Sequence, residues 1–164
     1  MNRAYVIREV LDARDVEQVR RLVMAHGNAR SNVPGVENVY ADAAQLPGPY
    51  VPPRGGLWLA VSNDVGLGCV ALRPHTESVA EVKRMFVDAE WRGKGVARAL
   101  LTTLIDGARA RGYTTLRLGT LRDMYAAQSL YDSVGFVPIE RYRQNELTNT
   151  VFYELSLTGT TSPA

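Results

Sequence analysis

The 164-residue chain holds a single cysteine, Cys69, and only two histidines, His26 and His75. One thiol cannot form an internal disulfide, and so few soft ligands cannot complete a four-ligand structural zinc site. Metal catalysis is set aside on the same ground, and no metal is expected. Lysine is almost as scarce: only Lys83 and Lys94 occur, and 19 bases against 17 acids leave a net charge of +2. So small a surplus gives no drive toward nucleic acid or an anionic membrane, and neither is expected as a partner. No apolar run approaches the roughly 20 residues that a membrane span needs. Residues 1–10 carry charges where a secretory signal would be apolar, so a cytoplasmic protein is the expectation.

What the chain does have is material for one core, with 46% hydrophobic and 22% charged residues. At this length about two-thirds of the unfolded surface can be buried, which needs no crosslink. A single domain over residues 1–157 is expected, with 158–164 as a flexible tail.

Tyr5 to Ile7 reads as a first strand. Asp12 then stands as the N-cap of a helix carrying Val16, Val19, Leu22 and Val23, with Gly27 as its stop. A second helical pattern holds Val36, Val39, Tyr40 and Ala43. Leu46 to Gly56 is rich in proline and glycine and can be neither helix nor central strand. Leu57–Val61 and Leu67–Leu72 flank Ser62-Asn63-Asp64 as a β-hairpin would. In the next strand, Val79 to Val87, the adjacent polar residues Lys83 and Arg84 break the alternation, and a bulge is predicted there. Val96, Ala97, Leu100, Leu101, Leu104, Ile105 and Ala108 recur at helical spacing. Gly112 ends that helix, Thr114 to Gly119 forms a strand, and Asp123 caps a helix that Gly135 closes. Phe136–Tyr142 and Val151–Leu157 complete the set as strands. The order βααβββαβαββ combines hairpins with one crossover, so the fold class is α/β with a mixed, mostly antiparallel central sheet covered by helices.

Chemistry concentrates where the Val79–Val87 strand runs through a short loop into Arg92-Gly93-Lys94-Gly95-Val96-Ala97, which opens the best-defined helix. A glycine-rich turn between strand and helix aims unpaired amides and the helix dipole at one spot, which suits a phosphate or pyrophosphate. Arg92 and Lys94 add positive charge. The ATP-type loop fails because Gly95, not Ser or Thr, follows Gly93-Lys94. The dinucleotide fingerprint fails because Arg98 occupies its third glycine position. From the hexapeptide alone, a tight turn and a phosphate site stand equal.

The spacing Arg92-x-x-Gly95-x-Ala97 resembles the pyrophosphate signature of the GCN5-related N-acetyltransferase (GNAT) superfamily, R/Q-x-x-G-x-G/A. Ala127, Leu130-Tyr131 and Gly135-Phe136 resemble its second motif, and the element order agrees across about residues 3–157. Met124 stands where many members place an asparagine that contacts the cofactor. The resemblance implies acetyl-CoA as cosubstrate, held by Arg92, Gly93, Lys94, Gly95, Val96 and Ala97 and by the strand at Met85, Phe86 and Val87. It also implies that this strand splays from its parallel neighbour near Leu116–Gly119, leaving a gap for the pantetheine arm.

Tyr131 is then the expected general acid for the departing thiolate. Glu81, an acid in an apolar strand, is the expected base or water relay, its pKa raised by burial, with a solvent-facing side chain or an ion pair to Lys83 or Arg84 as the alternative. Tyr50 and Arg54, on the proline-rich connector, are candidate contacts to a small-molecule amine acceptor. His26 and His75 read as surface residues, and Cys69 as a buried inert thiol, so direct transfer is expected. The rival expectation is a catalytically silent acyl-CoA-binding or regulatory module. Monomer and homodimer are both left open.

Overall fold

The computed structural model describes residues 4–144, 147 and 149–159. Residues 160–164 of the expected tail lie outside the described residues. The elements follow as β1 Val6–Glu9, α1 Ala13–Ala29, α2 Val36–Gln45, β2 Gly56–Ser62, β3 Val65–Pro74, β4 Val79–Val87, α3 Val96–Ala110, β5 Thr115–Leu121, α4 Tyr125–Val134, β6 Val137–Ile139 and β7 Thr150–Ser156. The strands form one sheet in the order β1-β2-β3-β4-β5-β7-β6. Every pairing is antiparallel except β4 with β5. This is the expected mixed, helix-covered sheet.

The central strands β2 and β3 are buried on both faces, and the two-residue period of a strand sorts their side chains between them. On β2, Leu57, Leu59 and Val61 pack with Val19, Leu22, Val23 and Ala43 of the α1/α2 layer. Trp58 and Ala60 face Leu100, Leu101 and Leu104 of α3 instead. Burying each such leucine is worth about 1.5–3 kcal/mol relative to exposure, so α3 is fixed by its apolar stripe. The β2–β3 turn places Asn63 and Asp64 at φ 50° and 61°, the two-residue geometry that matches strand twist.

Three expected boundaries are corrected. Gly27 does not stop α1 but lies buried within it, because a Cβ there would meet the Tyr40 ring at 2.8 Å. Asp123 does not cap α4: Met124 holds that position without a side-chain bond, and Asp123 faces Arg30 at 3.9 Å. The strand expected over Phe136–Tyr142 ends at Ile139, which frees the following residues to turn back over β4.

Candidate active site

The predicted bulge lies in β4. Cys69 pairs with Phe86 and Ala71 with Lys83, so the register slips by one residue, and Arg84 sits at φ 52°. Strict alternation from Ala80 and Val82 would send Arg84 into the α3 core. The extra residue lets its guanidinium reach Asp42 of α2 instead, with Nε 2.7 Å from Oδ2.

Beyond the bulge the sheet opens. β4 and β5 pair only at Val79–Thr115, Ala80–Leu116 and Glu81–Arg117. From there β4 follows β3 while β5 follows β7, leaving a wedge between two parallel strands. Phe86 pairs with Cys69, and the Asp88 amide donates to the Leu67 carbonyl at 2.8 Å. By alternation the backbone groups of Met85 and Val87 point away from β3, into the wedge. An extended, amide-bearing molecule can pair with such an edge as a strand would.

The wedge leads to the loop before α3. Gly93 and Gly95 both take left-handed conformations, φ 73° and 83°, with nothing within 4 Å of where a Cβ would stand. The backbone N–H groups from Gly93 to Arg98 donate to no described residue. Val96 and Ala97 thus open the helix with free amides, where the helix dipole favours an anion. Both loop cations are exposed. Arg92 Nε reaches the Val87 carbonyl at 3.1 Å, and Lys94 Nζ the Glu90 carbonyl at 2.7 Å.

Tyr131 is buried on the α3 side of the sheet, edge-on to Phe136 and tilted against Tyr153. Its hydroxyl hydrogen-bonds to no described residue, yet among the described residues every fully enclosed side-chain polar atom is paired. The hydroxyl is therefore not fully enclosed, while the ring stays in the core. Burial raises its pKa, so the phenol stays protonated.

Glu81 is fully buried where the β4–β5 pairing ends, and alternation with Ala80 and Val82 turns it to the other face. Tyr142 donates to Oε2 at 2.7 Å, Arg143 Nε donates to the same oxygen at 2.7 Å, and Arg143 Nη2 bonds to Oε1. Burial alone would raise this carboxyl, as expected from the sequence, but hydrogen bonds from Arg143 and Tyr142 and the charges of Lys83 and Arg143 hold it below its ordinary value. The expected upward shift is therefore corrected. The bonded partner is Arg143, from the segment after β6, neither Lys83 nor Arg84. His75 lies at the edge of this cluster, Nδ1 3.9 Å from Glu81 Oε1 and its ring 5.4 Å from that of Tyr142.

The structure gives the two connector residues partners within the chain. Tyr50 is a core residue, 2% exposed, whose hydroxyl donates to Asp42 Oδ2 at 2.8 Å. Arg54 stacks on Tyr113 and donates to carbonyls of Arg111 and Thr76, at the C-terminal end of α3 and the start of β4, the opposite end of both elements from the open loop. His26 is more than a surface residue: its ring lies 5.1 Å from that of Phe86. Cys69 is buried, its thiol pushed up to about 12 mainly by burial, as expected of an inert thiol. Sequence spacing could not reveal Asp42, Tyr142 or Arg143, because each meets β4 only through tertiary folding.

Residues 22–136 match the model of the acetyltransferase (GNAT) family. An uncharacterised N-acetyltransferase of Schizosaccharomyces pombe is 33% identical over 124 residues, 74% of this chain and 76% of the relative. N-acetylaspartate synthetase of Rattus norvegicus is 38% identical over 100 residues, 60% of this chain but only 33% of that protein. The chain thus spans about a third of that relative's length. A GNAT acetyltransferase structure from Staphylococcus aureus superposes with a TM-score of 0.81 at 23% identity, covering 94% of this chain and 99% of that one. A Salmonella typhimurium acetyltransferase solved with acetyl-CoA superposes with a TM-score of 0.68 at 22% identity, covering 98% of each chain.

Proposed function

Because the chain belongs to the acetyltransferase (GNAT) family, we propose that it transfers the acetyl group of acetyl-CoA directly to a primary amine of a small-molecule acceptor. The observation that carries this reading is the wedge between β4 and β5, which runs from the strand edge at Met85 and Val87 that faces away from β3 to the free amides at Gly93–Arg98. The pyrophosphate is held by the Arg92–Ala97 loop, with Arg92 and Lys94 swinging from their present carbonyl partners to the phosphates. The pantetheine arm pairs with Met85 and Val87. The N–H of Val87, beside Phe86, then donates to the oxygen of the acetyl carbonyl as negative charge develops on it.

The amine nitrogen attacks the carbonyl carbon, and the carbon–sulfur bond breaks. Tyr131 gives its phenolic proton to the departing thiolate from the α3 side. Glu81, on the opposite face, takes up the proton lost by the amine through water or the Tyr142 hydroxyl. Its depressed pKa keeps it ionised and makes it a transient proton acceptor, never a reservoir. This reading keeps a cytoplasmic location and a single domain over residues 1–157, and leaves monomer or homodimer open. It is tested by thiol release from acetyl-CoA across amino acids, polyamines, aminoglycosides and peptides. Release with at least one amine is expected, and tight acetyl-CoA binding with no release from any would make the chain a silent acyl-CoA module.

A further inference from the structure

Arg84 occupies an unusual position. It is the bulge residue of β4, held at φ 52° next to Met85, whose backbone faces the wedge. A non-glycine residue in that conformation costs of order 1–3 kcal/mol and persists only when its surroundings enforce it. What enforces it is a relay of two hydrogen bonds: the buried Tyr50 hydroxyl donates to Asp42 Oδ2 at 2.8 Å, and the same oxygen accepts from Arg84 Nε at 2.7 Å. Asp42 engages only Nε. The two terminal nitrogens of Arg84 hydrogen-bond to no described residue, although the side chain is only 23% exposed. A half-buried guanidinium is thus aimed, braced from behind, and left with its outer edge open.

The acids on this face are already engaged, Asp42 by Arg84 and Glu81 by Arg143. His26 lies beside Phe86 on one side, and the Arg92 guanidinium lies 5.7 Å from the Phe86 ring centre. Burial and then the charges of Arg30, Arg84 and Arg92 lower the pKa of His26. With those acids paired, the terminal nitrogens of Arg84 are matched by a carboxylate and not by a polycationic acceptor. The open edge of a guanidinium matches the two oxygens of a carboxylate through paired hydrogen bonds, a geometry that lysine cannot reproduce.

We propose that Arg84 recognises a carboxylate on the amine acceptor, with Asp42 and Tyr50 as positioning residues, so that the acceptor class is an amino acid or similar amino-carboxylate. The assignment rests on the acetyl-transfer reading above. It also explains how Tyr50 serves the acceptor side without touching the acceptor: it stands two hydrogen bonds behind it.

The test compares kcat/KM for free amino acids with that for their amides, which keep the amine and lose the charge, and with that for spermidine. The wild-type protein is expected to favour the acid by about tenfold or more, the weight of charge-assisted hydrogen bonds. In Arg84→Gln the acid-to-amide ratio falls to near one, and in Arg84→Lys it recovers only in part. Tyr50→Phe, which keeps the ring in the core, lowers the same ratio by about two- to fivefold through KM, as loss of one neutral hydrogen bond would. A wild-type preference for amide or spermidine overturns the proposal while acetyl transfer stands. So does an acid-to-amide ratio that Arg84→Gln leaves intact. Acetyl-CoA binding without thiol release from any acceptor overturns acetyl transfer, and the proposal with it.

Discussion

Two glycines at opposite ends of α3 provide a controlled experiment on the phosphate loop. Gly95 caps the start of the helix at φ 83°, and Gly112 follows its end at φ 86°. Neither has an atom within 4 Å of an added Cβ. Alanine at either position therefore pays the same conformational cost and no clash, about 1–2 kcal/mol for an L-residue in the left-handed region. For a chain of this size that is a fall in Tm of about 2–8 °C. The two variants should be equally destabilised but should differ in ligand binding. At Gly95 the new methyl group enters the open space of the loop whose amides are unpaired, where a phosphate oxygen would approach. Losing one charge-assisted hydrogen bond to that oxygen weakens acetyl-CoA binding by about 10- to 100-fold. Calorimetric titration of both variants with acetyl-CoA, alongside thermal melts, reads the two effects separately. Gly95→Ala that binds as tightly as Gly112→Ala, with matching Tm, would refute the placement of the pyrophosphate.

Gly93, at φ 73°, is as constrained as Gly95, so Gly93→Ala should show the same pairing of lowered Tm and weakened acetyl-CoA binding in the same titration. Tyr131→Phe keeps the packing against Phe136 and Tyr153 and removes only the proton donor. Since a thiolate leaves readily, kcat should fall by about 10²-fold, the lower end for general acid catalysis, with KM for acetyl-CoA little changed. Turnover within about twofold of wild type, with chemistry rate-limiting, would remove Tyr131 from the mechanism. The Glu81 carboxyl is held below its unfolded value, so between the folded and unfolded pKa values the unfolded chain binds more protons. Its contribution to stability is present above the ordinary carboxylate range, near pH 4.3, and is lost as pH falls through the folded value. Melts from pH 6 down to about pH 3 should show a steeper fall in Tm for wild type than for Glu81→Gln, and parallel curves would contradict the linkage.

The sequence carried the parts of this fold that depend on local patterns. The alternating runs of β2 and β3, the apolar stripe of α3 and the broken alternation at Lys83-Arg84 each follow from the period of the backbone, and each was legible. So was the strand-turn-helix that arranges the amides at Gly93 and Gly95. What could not be read is where side chains go once the layers pack. Glu81 looked like an acid whose pKa burial would raise, because nothing in β4 indicates that Arg143 and Tyr142 return from beyond β6 to hold it ionised. Tyr50 lay on a proline-rich connector that can be neither helix nor central strand, yet its ring is buried in the core and its hydroxyl donates to Asp42. The place of Arg54 was hidden for the complementary reason. The connector runs past the far end of α3, and chain position alone cannot tell one end of a helix layer from the other.

The central claim is direct passage of an acetyl group from acetyl-CoA to an amine, and it is tested most directly by a single-turnover experiment with acetyl-CoA labelled in the acetyl group. Mixed with an accepted amine and quenched over time, the label should move in one phase from the thioester to the amine nitrogen, with free CoA appearing at the same rate and none of the label on the protein. Label that stays in acetyl-CoA bound to the folded chain, or that accumulates covalently on the protein before reaching the amine, would contradict it.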